Sequence, residues 1–193
     1  MYMPFLNIYF RSWDEPAKKA TFDISVYVLR DCTTLSNMQL KKTISDEQNE
    51  KYHTVIFQTT PKMSTYLVAV VIGQFEYVEN LSQDVLVRIY TPLGMAEQGR
   101  FSLECCLNGI EFFQEFFGVS YPLKKYDCVG VPDFISGAME NWGLATFRES
   151  LILADSGNSS SGLRQRISIT VLHELSHQWF GNLVTMQVSV MLY

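Results

Sequence analysis

His173, Glu174 and His177 are the residues of this chain whose types and spacing speak most directly of chemistry. Four residues along an α-helix return to nearly the same face, about 40° apart, so the two imidazoles can share one tetrahedral metal ion. Glu174 follows His173 directly, is turned by about 100° and is not placed as a ligand beside the histidines. It can reach water at the ion instead. Zinc acidifies that water and polarises an amide carbonyl, and a nearby carboxylate serves as general base for the attack. The spacing therefore assigns His173 and His177 as ligands of Zn2+ and Glu174 as the base of an amide hydrolysis. The competing reading is three polar residues brought to this spacing by chance. Apolar neighbours argue against it: Ile167, Ile169, Val171, Leu172, Leu175 and Trp179 could sheathe the helix, where unpaired His and Glu would be costly.

A second stretch, Gly137-Ala138-Met139-Glu140-Asn141-Trp142-Gly143, precedes that helix. Its small residues would let a substrate backbone lie close, as in strand addition to a sheet edge, and Glu140 would sit where it can pair with a cation. Taken alone, the stretch reads more economically as a glycine-bounded turn with a surface acid.

The elements that must position these residues follow from periodicity. Phe22, Ile24, Val26 and Val28 alternate with Asp23, Ser25 and Tyr27, the period of a half-buried strand, after a turn at Asp14-Glu15-Pro16. Residues 41–51 read as an exposed loop, with strands expected over 54–60 and 65–72. Val85, Val87 and Ile89 make another strand, closed by Thr91-Pro92-Leu93-Gly94. From Ala96 to Phe117 the apolar residues Leu103, Cys106, Leu107, Ile110, Phe113 and Phe117 keep a helical period, with Gly118 as C-cap. That aromatic stripe reads as core. A strand over 126–131 follows, and Ser159, Ser160 and Ser161 offer N-caps for a helix over 163–180 that carries the histidines.

Composition sets the outer limits. The chain has 193 residues, 47% of them hydrophobic, enough for one sizeable domain or two small ones. A net charge of −5, from 15 basic and 20 acidic residues, gives no reason to expect nucleic acid. The longest apolar run, Leu67–Ile72, is too short to span a membrane. Met1–Phe10 lacks a basic region and a cleavage site and is a poor signal peptide. Cys32, Cys105, Cys106 and Cys128 show no paired spacing and read as thiols of a reducing compartment. The sequons at Asn80 and Asn158 weigh little beside that.

Gly137–Asn141 taken with His173-Glu-Leu-Ser-His-Gln-Trp-Phe-Gly-Asn-Leu-Val-Thr-Met186 resembles the gluzincin zinc aminopeptidases, which carry both motifs. The likeness runs from Trp13 to Met186. Its blocks at Trp13–Ala17, Lys19–Ser25, Leu35–Met38, Met63–Ala69 and Ala96–Gly99 are similar to the puromycin-sensitive branch. The resemblance implies an α+β chain: a partial N-terminal β-sheet domain over 1–79, then the first part of a thermolysin-like catalytic domain over 80–193. It implies that Glu140 grips the free α-amino group of a peptide while Gly137, Ala138 and Met139, with Asn141 in the same binding stretch, line the substrate strand. An amine anchor beside the metal places the first amide, and no later one, on the zinc, so residues leave one at a time from the amino terminus. Peptides with a free N-terminus are the implied partners and the cytoplasm the implied location. Arg148, Glu149 and Asn182 belong to the same blocks, without an assigned role.

The resemblance has limits at both ends. The family takes its third ligand from a glutamate on the next helix and steadies the oxyanion with a downstream tyrosine. After Met186 this chain reads Gln-Val-Ser-Val-Met-Leu-Tyr, which is unlike that continuation, and Met1–Phe10 is unlike the family's lead-in. The expectation is a portion or shortened product of a zinc aminopeptidase whose third zinc ligand is absent from these residues. A truncated non-catalytic product that acts by binding is the alternative. A third reading, an unrelated zinc endopeptidase, has no use for an amine anchor at Glu140.

Overall fold

The computed structural model describes residues 12–13 and 15–187; Asp14 of the expected turn and the terminal stretches 1–11 and 188–193, including most of the unlike continuation, lie outside the described residues. The chain is α+β. Its contacts group it into two compact units, Met1–Gln74 with Phe180–Tyr193, and Phe75–Trp179. The division between Gln74 and Phe75 falls ahead of the boundary drawn after residue 79 from the sequence.

The first unit is built from short antiparallel strands. β1 (Ser25–Leu29), β3 (Leu40–Ser45) and β4 (Tyr52–Phe57) form a sheet in the order β1-β4-β3, and β2 (Thr33–Ser36) pairs with β5 (Val70–Gly73). Val28, Val55 and Phe57 make a buried cluster on which Ile24, Val26, Cys32 and Ile72 pack. Two expectations are corrected here. Residues 41–51 are not all loop, because β3 occupies 40–45 as an edge strand whose six side chains are all exposed. With neither face buried it has no alternation to betray it. The expected strand over 65–72 begins instead with a 3-10 turn at Thr65–Leu67, and only Val70–Gly73 pairs.

The second unit holds a five-stranded sheet in the order β6-β7-β8-β10-β9, from β6 (Glu76–Ser82), β7 (Val85–Thr91), β8 (Lys125–Val131), β9 (Ala138–Met139) and β10 (Leu144–Arg148). β7, β8 and β10 run parallel, while β6 and β9 pair antiparallel on the outside. β7 and β8 are joined through α1 (Arg100–Phe117), which ends on Gly118 at φ +66 as its sequence implied. Leu103, Cys106 and Ile110 turn inward from α1, and Cys106 Sγ lies 3.9 Å from Cys128 Sγ of β8. All four cysteines are free. α2 (Ser161–Ser176) starts at Ser160, whose hydroxyl accepts from Leu163 N–H at 3.2 Å.

Candidate active site

α2 stops at Ser176, short of the expected residue 180, so His177 is its C-cap rather than an interior residue. Ser176 Oγ donates to His173 O at 2.7 Å, while Gln178 and Trp179 N–H groups bond three residues back to Leu175 and Ser176, tightening the final turn. The end of the turn is pinned by Trp179. Its indole Nε1 donates to Val119 O at 2.8 Å, and its ring packs among Phe113, Phe117 and Tyr121. The aromatic stripe of α1 thus seats the histidine helix, with Phe112 and Phe116 left exposed.

Within this turn His173 Nε2 and His177 Nε2 come to 3.1 Å of one another, with the rings almost perpendicular at 88°. Two imidazole nitrogens at ~2.05 Å from one tetrahedral zinc would lie about 3.3 Å apart. The pair therefore fits a shared ion. Glu174 is buried, and its Oε2 has no hydrogen-bond partner. Burial, and after it the Glu140 carboxylate, push the Glu174 carboxyl up to about 8. Among the described residues no group of three or more His, Cys, Asp or Glu is disposed to hold a metal.

The glycine-bounded stretch forms a strand and a turn. Ala138 and Met139 are β9, the terminal strand of its sheet, paired with Phe147 and Thr146 of β10. Gly137 (φ +86) enters the strand and Gly143 (φ +76) leaves the turn, both in backbone that favours glycine. Leu144 N–H donates to Asn141 O at 2.9 Å, and Thr146 Oγ1 to Asn141 Oδ1 at 3.3 Å, so buried Asn141 braces the turn. Glu140 is half-buried at its start. Gly137, Ala138, Met139, Glu140, Asn141, His173, Glu174 and His177 all belong to the Phe75–Trp179 unit. Asn182 does not.

Several residues that had no assigned role hold this construction together. Gln178, fully buried, ties the strand segment to the helix: its Nε2 donates to Glu140 O and to Glu174 O, each at 3.2 Å, and its Oε1 accepts from Gly143 N–H at 3.1 Å. Lys125, also buried, donates from Nζ to Gly143 O at 2.7 Å and pairs with Asp127 at 2.8 Å. Arg88 completes that network with two bonds to Asp127, at 2.7 and 3.0 Å. Burial pushes the Lys125 amine below its ordinary value against the opposing pull of Asp127. Lys125-x-Asp127 inside an otherwise apolar strand was the available signal, since residues two apart share a face. Arg148 holds the approach to β9: its guanidinium donates to Phe134 O and Ile135 O, both at 2.8 Å, and its N–H to Gly137 O at 2.7 Å.

Two family descriptions match the chain: Peptidase M1 N-terminal domain over residues 8–67, and Peptidase family M1 domain over 101–192. Aminopeptidase M1-A of Oryza sativa subsp. japonica and Aminopeptidase M1 of Arabidopsis thaliana are each 48% identical over 179 residues, 92% of this chain and 20% of the relative. Puromycin-sensitive aminopeptidase of Caenorhabditis elegans is 45% identical over 180 residues, again 92% of this chain and 19% of the relative. The chain spans about a fifth of the length of these relatives. With both matched segments drawn from one family, and a β-sheet unit followed by the helix that bears the paired histidines, the chain belongs to the M1 peptidase family.

Proposed function

We propose that this chain carries the catalytic motifs of a zinc metallo-aminopeptidase that removes residues from the free amino termini of peptides. The observation that carries it is the joining, inside one compact unit, of two converging imidazoles, a buried carboxylate and a sheet-edge strand followed directly by a second carboxylate. His173 and His177 would hold the ion, which when bound supplies Lewis acidity to an amide carbonyl and acidifies water.

The protein's own groups supply the rest. Glu174, buried and with an unpartnered Oε2, is suited to take the proton of the attacking water. Glu140 pairs with the α-ammonium group of the substrate. Gly137, Ala138 and Met139 receive the substrate backbone along the edge of β9, and Asn141 holds the turn behind them. Residues 1–79 are taken as part of an amino-terminal β domain and 80–193 as the beginning of a thermolysin-like peptidase domain. Among the described residues no helix is long and apolar enough to cross a membrane. Four free thiols suit a reducing compartment, and the cytoplasm is the location proposed.

The test is hydrolysis of leucinamide and of N-acetyl-leucinamide by the native polypeptide. Cleavage of the free amine alone is expected. Equal cleavage of both would favour an endopeptidase and overturn the amine-anchor role of Glu140.

A further inference from the structure

Three backbone groups of the candidate site meet on one side chain. Gln178 Nε2 donates to the carbonyls of Glu140 and Glu174, and Gln178 Oε1 accepts from Gly143 N–H, with the whole side chain buried. A primary amide offers two donors and an acceptor on one plane without charge, which this trio requires. A glutamate would turn a carboxylate oxygen toward two carbonyls. A methionine would fill the space and leave three backbone groups without this partner.

The consequence is geometric. Glu140 and Gly143 open and close the turn, and the same amide holds both, so the turn cannot move along α2 without breaking two of its bonds. Gly143 is gripped from its other side as well, its carbonyl accepting from Lys125 Nζ at 2.7 Å and from Asp127 N–H at 3.1 Å. One step along a strand is about 3.3 Å. A carboxylate displaced by that distance would present the wrong amide of a bound peptide.

We propose, resting on the aminopeptidase reading above, that Gln178 is a positioning residue. It fixes Glu140 relative to Glu174 and the two histidines, and thereby sets which amide is cleaved. It touches no substrate itself.

The experiment compares the native polypeptide with Gln178→Met, Gln178→Glu and a control, Ser102→Ala. The control removes another buried side-chain donor of the same unit, whose Oγ bonds Ile152 O at 2.5 Å. For each, the zinc content, the melting temperature, the inhibition constant of leucinamide against a fluorogenic substrate, and the ratio of activities on free and acetylated leucinamide are measured. Both Gln178 variants are expected to keep zinc, to bind leucinamide at least about tenfold more weakly and to lose about tenfold in the activity ratio, which Ser102→Ala keeps. The proposal is overturned if either Gln178 variant folds and retains the native ratio and inhibition constant within about twofold. It is also overturned if Ser102→Ala lowers the ratio equally, or if neither Gln178 variant folds, since Gln178 then serves the fold as a whole. A native protein that does not discriminate between the two amides would instead overturn the aminopeptidase reading, and this proposal with it.

Discussion

Gly109 of α1 lies so close under α2 that a β-carbon placed on it would come within 2.7 Å of Leu175 Cδ2 and 2.6 Å of Leu172 Cδ2. Leu175 follows Glu174 directly and is itself fully buried. Gly109→Ala should therefore push on the last turns of α2, with overpacking of about 1–3 kcal/mol outweighing the gain in helix propensity. Thermal unfolding of the variant is expected to show a lowered midpoint. A raised midpoint would mean that the leucines rotate away freely and that the helices are not held at this separation by the glycine.

Glu174→Gln keeps the shape of the side chain and removes its capacity to take a proton. Zinc content should stay at the native level while turnover falls by about 10²–10⁴-fold. His173→Ala should lose the metal itself. Metal analysis of the two purified variants separates the roles, and a Gln variant as poor in zinc as the Ala variant would make Glu174 a residue of the metal site rather than the base.

Glu140→Ala removes the carboxylate proposed to pair with the α-ammonium group. KM for free-amine substrates should rise at least about tenfold, and the preference for free over acetylated peptides should shrink by a similar factor. Steady-state kinetics on paired substrates measure both. An undiminished preference would assign the amine contact to other residues.

Asp127→Ala strips the partner from two cations at once, Arg88 and the buried Lys125. Breaking a buried pair in this way destabilises by about 3–5 kcal/mol, because the remaining charges stay out of water. Denaturant unfolding is expected to show the loss. Asp84→Ala, which removes the partner of Lys124 at the surface, should leave the midpoint unmoved.

Features set by local periodicity were open to reading, and those set by distant partners were not. α1 and its glycine cap follow from apolar residues at helical spacing, and β7 from strict alternation. The spacing of His173 and His177 put both on one helix face, where the structure brings their Nε2 atoms together. β3 escaped because all its side chains are exposed. The early end of α2 escaped because the side chains of Gln178 and Trp179 are anchored to Glu140 and Val119, far away in the chain, while their backbone N–H groups tighten to bonds three residues back. Gln178 stands inside the quoted histidine motif and Lys125 two residues before Asp127, but which groups they hold follows from the carbonyls and amides that surround them in the fold. A two-residue strand such as β9 is too short for any period to register.

The brevity of β9 shapes what it could recognise. A peptide laid against a terminal strand is held through main-chain atoms, which are alike in every peptide, and here the ladder could extend over little more than Ala138 and Met139. Such a grip is almost blind to side chains and nearly indifferent to how long the peptide is. On the aminopeptidase reading proposed above, a preference among peptides would then have to come from contacts outside this strand, which itself would admit a broad clientele.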